Sequence, residues 1–174
     1  VSARGFTHES AGSPDWYTPP EIFSALGLRF DLDPCAPALP IAEWLPVDRR
    51  ISLPDDGLAE SWTGRVWLNP PYGVETGRWV GRLAAHGDGI SLTFTRTDTP
   101  WWQSTADRAS LVCFIAGRVG FVPGDSEFRR RSRSGAPSCL IAFGDECADA
   151  VRRAGLGVCA DLAADRQLSL EPAA

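Results

Sequence analysis

Residues 66–72, Val-Trp-Leu-Asn-Pro-Pro-Tyr, join the signature of a buried strand to a polar corner. The apolar run 66–68 meets two prolines, which can neither continue a ladder nor enter a helix interior. The backbone after Leu68 is therefore held in a stiff, extended turn. That turn presents one primary amide, Asn69, and one aromatic ring, Tyr72. Asn69 is the only asparagine in the chain. Its amide offers an acceptor oxygen and two donors, and Pro70 offers a carbonyl without an N–H. Two acceptors aimed at one point suit an exocyclic amine such as N6 of adenine. With both amine hydrogens held, the nitrogen is drawn toward sp3 and its lone pair is freed for attack. Tyr72 gives a planar ring a face to stack on, a contact that contributes about 1–3 kcal/mol per base. No strong general base is required, because the proton can leave after the new bond forms, and positioning supplies most of the rate. The alternative is a stiff turn without chemistry; placement at the end of a buried strand favours the functional reading.

Other chemistry-bearing residues fall near comparable corners. Asp33-Pro34-Cys35-Ala36 closes another short apolar run. Asp33, Asn69 and Arg96 all lie at the carboxyl ends of predicted strands, along one rim. Arg129-Arg130-Arg131-Ser132-Arg133, with Phe128 beside it, is the one concentrated basic patch. It reads as a phosphate clamp with an aromatic wedge or stacking group, against the alternative of a solvated charged loop. Arg118 and Arg96 lie nearer the strand ends, within reach of a phosphate or a carboxylate. Cys35 reads as a small packing residue, since nothing nearby would lower its pKa. His8 and His86 are too few and too far apart for a metal centre. Trp101 and Trp102 cannot both face the core of one helix: one packs, and the other is free to line the site.

Several elements must position these groups. A helix is predicted over 18–26, with Thr18 as N-cap, Pro19 and Pro20 in the first turn, Glu21 closing a capping box and Gly27 ending it. Strands are predicted at 29–33, 65–68, 89–95, 111–116 and 138–143, with shorter ones at 119–122 and near Val158. Helices are predicted at 76–85, 100–107 and 145–154, the second capped by Asp98 or Thr99, with a single helical turn at 41–45 and a short helix at 58–62. The strands read as continuous apolar runs alternating with helices. That is the pattern of an α/β fold with a mostly parallel sheet and helices on both faces. Ligands in such sheets bind outside the carboxyl ends of the strands. Residues 1–15 read as a flexible N-terminal segment, 16–160 as one domain containing the loop 117–137, and 161–174 as a polar tail.

Composition sets the outer limits. A length of 174 residues, 44% hydrophobic and 22% charged, is that of one globular domain with a sizeable core. No apolar run approaches the roughly 20 residues of a membrane span, and Arg4, His8 and Glu9 interrupt any leader. Five cysteines without a CxxC pair point to reduced thiols in a cytoplasm. A net charge of −5 is no global nucleic-acid signature, so any such contact is a local patch. All 17 basic residues are arginine; with the Ala, Gly and Pro content this hints at a GC-rich bacterial or phage coding sequence.

Taken in order, Trp16-Tyr17-Thr18-Pro19-Pro20-Glu21, Phe30-Asp31-Leu32-Asp33-Pro34-Cys35-Ala36, Asp56-Gly57-Leu58, Asn69-Pro70-Pro71-Tyr72, Arg96-Thr97-Asp98-Thr99-Pro100-Trp101-Trp102, Gly117-Arg118-Val119-Gly120-Phe121 and Ala136-Pro137-Ser138 resemble the small phage-type DNA N6-adenine methyltransferases, the Dam-like phage family. The resemblance implies a compact Rossmann-like fold that uses S-adenosylmethionine and no metal, encoded by phage or prophage. It implies a catalytic motif of Asn69, Pro70, Pro71 and Tyr72, in which Asn69 and Pro70 hold the target amine and Tyr72 stacks on a flipped adenine. Asp33, Pro34, Cys35 and Ala36 would bind the methionine part of the cofactor. Trp16, Tyr17, Thr18 and Pro19 would cover it from a helix N-terminus, where backbone N–H groups favour a carboxylate, and Asp56 would sit near its adenine. Arg118, Phe128, Arg129, Arg130, Arg131 and Arg133 would contact duplex DNA.

The sequence departs from that pattern at positions 34–68, which are short and broken by prolines. A full sheet of this kind carries two more strand–helix units there, with an acidic residue for the cofactor ribose; Asp48 and Glu43 are the candidates. Within these residues no separate target-recognition domain is expected beyond the loop 117–137. Low or short sequence specificity is therefore expected, with a homo-oligomer as one way to complete the site. An RNA or protein-glutamine N-methyltransferase, and an inactive methyltransferase-like DNA-binding module, are the competing readings.

Overall fold

A computed structural model describes residues 16–37, 42–123 and 132–162. The elements are β1 (Trp16–Tyr17), α1 (Pro20–Leu26), β2 (Phe30–Asp33), β3 (Val47–Arg50), β4 (Val66–Leu68), α2 (Thr76–His86), β5 (Gly89–Phe94), α3 (Pro100–Ala106), β6 (Leu111–Ile115), β7 (Gly120–Pro123), β8 (Ser132–Arg133), β9 (Ser138–Phe143), α4 (Asp145–Arg153) and β10 (Gly157–Ala160).

Successive strand residues point to opposite faces of a sheet, and each face here is apolar because each is covered. Phe30, Trp67, Ile90, Leu92, Leu111 and Leu140 pack with Ile22, Phe23 and Leu26 of α1 and with Cys147, Ala148 and Val151 of α4. Their neighbours Leu32, Val66, Leu68, Val112 and Ile141 pack with Trp79, Val80 and Leu83 of α2 and with Trp102 and Ala106 of α3. The expected helices on both faces are thus present. Trp67 anchors the first layer, with Phe23 and Phe30 edge-on to it at centroid distances of 4.6 and 5.3 Å. No helix among the described residues is long and apolar enough to cross a membrane.

The large sheet runs β10-β6-β9-β5-β4-β2-β3. β3, β2, β4 and β5 are mutually parallel neighbours. β9 lies antiparallel between β5 and β6, and β10 is antiparallel to β6. The expectation of a mostly parallel sheet therefore holds for the half that ends in Asp33 and Asn69 and fails for the other half, so the sheet is mixed. The reason is physical: β9 is buried at every position, and a strand covered on both faces reads as a continuous apolar run whichever way it points.

Three local expectations change. Thr18 does not cap α1; Pro19, at φ −68° and ψ 147°, is the N-cap and makes no side-chain cap bond. Two consecutive prolines start the helix later than the hydroxyl could reach. Residues 58–62 form no helix: Asp56 and Gly57 hold a turn there, with the Asp56 carbonyl accepting from the Ala59 and Glu60 amides. Residues 42–45 make a single turn, closed by the Leu45 amide on the Ala42 carbonyl at 3.4 Å, while Ile41 lies outside the described residues. Beyond it runs an unexpected edge strand, β3, whose Asp48 and Arg49 are exposed and so hide the apolar signal.

The chain leaves β2, pairs β3 on one side of it, and returns to place β4 on the other. Strand order reverses there, which opens a crevice between the carboxyl ends of β2 and β4. A second sheet, β1-β7-β8, is antiparallel throughout. It ties the Trp16 strand to the segment 117–137, which sequence patterning reads mainly as loop.

Candidate active site

The crevice brings the two polar corners into contact. The Cys35 thiol donates to the Asn69 carbonyl at 3.3 Å, and the Cys35 amide donates to Asp33 Oδ1 at 3.1 Å. Burial first, then the neighbouring Asp33, pushes the Cys35 thiol well above the ordinary cysteine range. It stays protonated and acts as a donor, in keeping with a packing residue and not a nucleophile. Pro34 is buried, and Ala36 is anchored by its amide on the Ile51 carbonyl at 2.9 Å.

Asp33 is 2% exposed. Burial raises its carboxyl from the ordinary range to about 7, against the lowering influence of the Cys35 N–H and of Arg50, its register partner on β3. Such a group, buried at a cleft and only partly offset by Arg50, is what a ligand ammonium would relieve. Thr18 stands nearby with its hydroxyl buried and without a partner among the described residues. Trp16, Tyr17, Thr18, Asp33, Cys35, Trp67 and Asn69 line one narrow cleft, partly open to solvent. A carboxylate and a hydroxyl converging there fit the ammonium and carboxylate of an amino-acid moiety.

Both side-chain polar atoms of Asn69 are held. Its Nδ2 donates to the Trp16 carbonyl at 3.1 Å, and its Oδ1 accepts from the Tyr72 hydroxyl at 3.1 Å. Pro70 is buried, and the Pro71 carbonyl accepts from Thr76 Oγ1 at 2.9 Å, which locks the turn onto the start of α2. Tyr72 stacks on Phe94 with centroids 4.1 Å apart. Burial, and then the nearby Cys139 and Cys35, raise its phenol far above the ordinary range, so it remains a neutral donor.

The cover over the cleft is β1. Tyr17 is buried edge-on to Trp44 at 6.0 Å, and Trp44 Nε1 donates to the Thr18 carbonyl at 2.9 Å. Sequence patterning gives no hint of Trp44, which lies in a proline-broken stretch. Phe94 is likewise missed, because the last residue of an apolar strand reads as core. Trp102 is the tryptophan that packs, at 7% exposed, while Trp101 is half-buried against Gly77 of α2.

Asp56 is exposed, and its carboxylate accepts from the Leu58 amide at 2.9 Å. Its neighbour Gly57 is pressed against the Asp33 corner, where an added Cβ would lie 1.8 Å from the Pro34 carbonyl oxygen. Gly57→Ala is accordingly expected to cost about 1–3 kcal/mol of stability, read as a lower urea midpoint at an unchanged slope; an unchanged midpoint would mean the turn does not brace the corner. Asp48 pairs with Arg29 on the exposed surface and Glu43 is exposed, and neither lines the cleft.

Arg118 and Arg133 are exposed at the start and end of the β7–β8 pair, where Gly120 faces Arg133. Phe128, Arg129, Arg130 and Arg131 lie between these strands in sequence and outside the described residues.

Residues 7–152 match the profile of the family described as DNA N-6-adenine-methyltransferase (Dam). No curated protein and no solved structure matches the chain. The matched segment runs through the Trp16 strand, the Asp33 corner, the Asn69 turn and most of α4. On that extent the chain belongs to the DNA N-6-adenine-methyltransferase (Dam) family, an assignment that carries DNA adenine N6-methyltransferase activity with it.

Proposed function

We propose that the protein transfers the methyl group of S-adenosylmethionine to N6 of an adenine turned out of duplex DNA, with low or short sequence specificity. The observation that carries this reading is the meeting of Asp33 and Asn69 at one crevice, joined through Cys35. The mixed sheet with a switch point between β2 and β4 suits a shortened Rossmann-like methyltransferase fold.

Asp33 would hold the cofactor ammonium, and the Thr18 hydroxyl its carboxylate, under the cover of Trp16, Tyr17 and Pro19. Pro34, Cys35 and Ala36 shape the floor, and the Asp56 turn braces it. S-adenosylmethionine, bound there, supplies an electron-poor methyl group on sulfur. Asn69 Oδ1 and the Pro70 carbonyl accept the two hydrogens of the target amine and turn its lone pair toward the cleft. The amine loses one proton to water after the new bond has formed, so neither Asp33 nor the neutral Tyr72 needs to act as base. The main contribution of the protein is alignment of two reactants. Arg118, Arg133 and the segment with Phe128, Arg129, Arg130 and Arg131 would grip DNA phosphates.

The test is mass spectrometry of nucleosides from duplex DNA incubated with the protein and S-adenosylmethionine. N6-methyladenine is the expected product. Methylated RNA or protein, with unmodified DNA, would defeat the reading.

A further inference from the structure

Tyr72 and Phe94 form a slot that is shut on itself. Their rings lie 21° from parallel with centroids 4.1 Å apart. Phe121 meets Tyr72 edge-on at 6.0 Å. The Tyr72 hydroxyl donates to Asn69 Oδ1 at 3.1 Å and reaches the Leu92 carbonyl at 3.4 Å. On the adenine reading, Asn69 Oδ1 receives the target amine and Tyr72 offers a face to the base. Both are occupied here, the oxygen by the hydroxyl of Tyr72 itself and the face by Phe94.

One displacement would free both. A base in a stack is about 3.4 Å thick, so separating the two rings by that amount admits one purine. The same movement draws the hydroxyl away from Asn69 Oδ1. The two walls differ in mobility. Phe94 ends β5, a strand paired with β9 along its length up to Phe94 and Ser138. Tyr72 lies outside the ladder, in a turn whose backbone is tied to Thr76 Oγ1 by the Pro71 carbonyl and the Gly73 amide, both at 2.9 Å, so the movement required is a rotation of the Tyr72 side chain. Phe94 is therefore the fixed wall and Tyr72 the moving one.

We propose that Phe94 is a base-stacking residue, the fixed wall of an adenine slot that Tyr72 closes, and that the Tyr72 hydroxyl holds the place of the target amine on Asn69 until a base arrives. This rests on the adenine reading of the Asn69 corner. It adds to the Asn69-Pro70-Pro71-Tyr72 turn a second wall for the base, supplied by a neighbouring strand.

The test uses the full chain, S-adenosylmethionine and unmethylated duplex DNA of mixed sequence, and follows methylation kinetics. Phe94→Leu keeps an apolar side chain and removes the aromatic face. It is expected to lose about 5- to 100-fold in kcat/KM for DNA, with the calorimetric affinity for S-adenosylmethionine unchanged. Phe94→Tyr restores a face and should recover most of that loss. Tyr72→Phe keeps the ring but removes the competitor for Asn69, and should lower the KM for DNA about threefold. Phe94→Leu at or above wild-type activity would mean that Phe94 only parks Tyr72, and would overturn the proposal. Equal losses in Phe94→Leu and Phe94→Tyr would reduce Phe94 to packing and overturn it as well. A raised KM in Tyr72→Phe would show that the hydroxyl serves the reaction, against the placeholder role. Wild-type protein that forms no N6-methyladenine would overturn the adenine reading, and the slot with it.

Discussion

An Asn69→Ala variant is expected to lose methyl transfer by about 10³-fold or more while still binding S-adenosylmethionine. The side chain supplies the acceptor that orients the amine, and no neighbouring group can stand in for it, since Cys35 is a donor and Tyr72 holds its proton. Its removal also deletes two hydrogen bonds, to the Trp16 carbonyl and from the Tyr72 hydroxyl. Each contributes about 0.5–1.5 kcal/mol, too little to unfold a domain with two covered sheet faces. The Asp33 corner keeps its own anchors, through Cys35 and Ala36, so the cofactor site survives. Calorimetry and single-turnover methylation on the same sample separate the two effects. Residual activity within tenfold of wild type would remove Asn69 from the chemistry.

The second large effect is set by pH. Asp33 has its carboxyl raised to about 7 by burial. Between about pH 4 and 7 the folded protein therefore holds a proton that the unfolded chain has released. Stability falls as pH rises through that window. Above pH 7 the full penalty of an ionised, buried carboxylate is present, on the order of 4 kcal/mol. A cationic ligand reverses the balance, since it needs the ionised form. Affinity for S-adenosylmethionine should rise toward tenfold per unit from pH 5.5 to 7 and level off beyond. Asp33→Asn should melt higher than wild type at pH 8 in the absence of ligand and bind S-adenosylmethionine about 10²-fold more weakly. Thermal melts and titration calorimetry at pH 5.5, 7 and 8 measure both. A pH-independent affinity, or an asparagine variant that binds as wild type does, would detach Asp33 from the cofactor.

Much of this site is legible in the order of residues. The Asn69 turn announces itself because two prolines fix backbone geometry locally, whatever surrounds them. The Asp33 corner follows from the same kind of signal, an apolar run cut by an acid and a proline. The helix α2 follows from the apolar spacing of Trp79, Val80 and Leu83, and α3 from the proline and cap at its start. Local signals fail where a residue is read by what lies across from it. Thr18 has the type and spacing of a cap, yet its hydroxyl is buried in the Asp33 cleft, without a partner among the described residues. Trp44 sits in a stretch without pattern, yet braces the cleft through the Thr18 carbonyl. The edge strand β3 carries charges that mask it, and its Arg50 bears on Asp33.

The residue order thus determined, by itself, the chemistry each corner can offer: an amide and a carbonyl in a rigid turn, an acid at a strand end, a cluster of arginines over 129–133. Those properties depend on neighbours one to four positions away. The tertiary structure alone decided which corners meet. Asp33 and Asn69 share a crevice because the chain visits β3 and returns across β2. The Asn69 amide is oriented by Trp16 because β1 pairs with β7. Tyr72 closes on Phe94 because β5 lies beside β4. Strand order and register are settled by pairing and burial between distant segments, and an apolar run carries no mark of which partner, or which direction, will cover it.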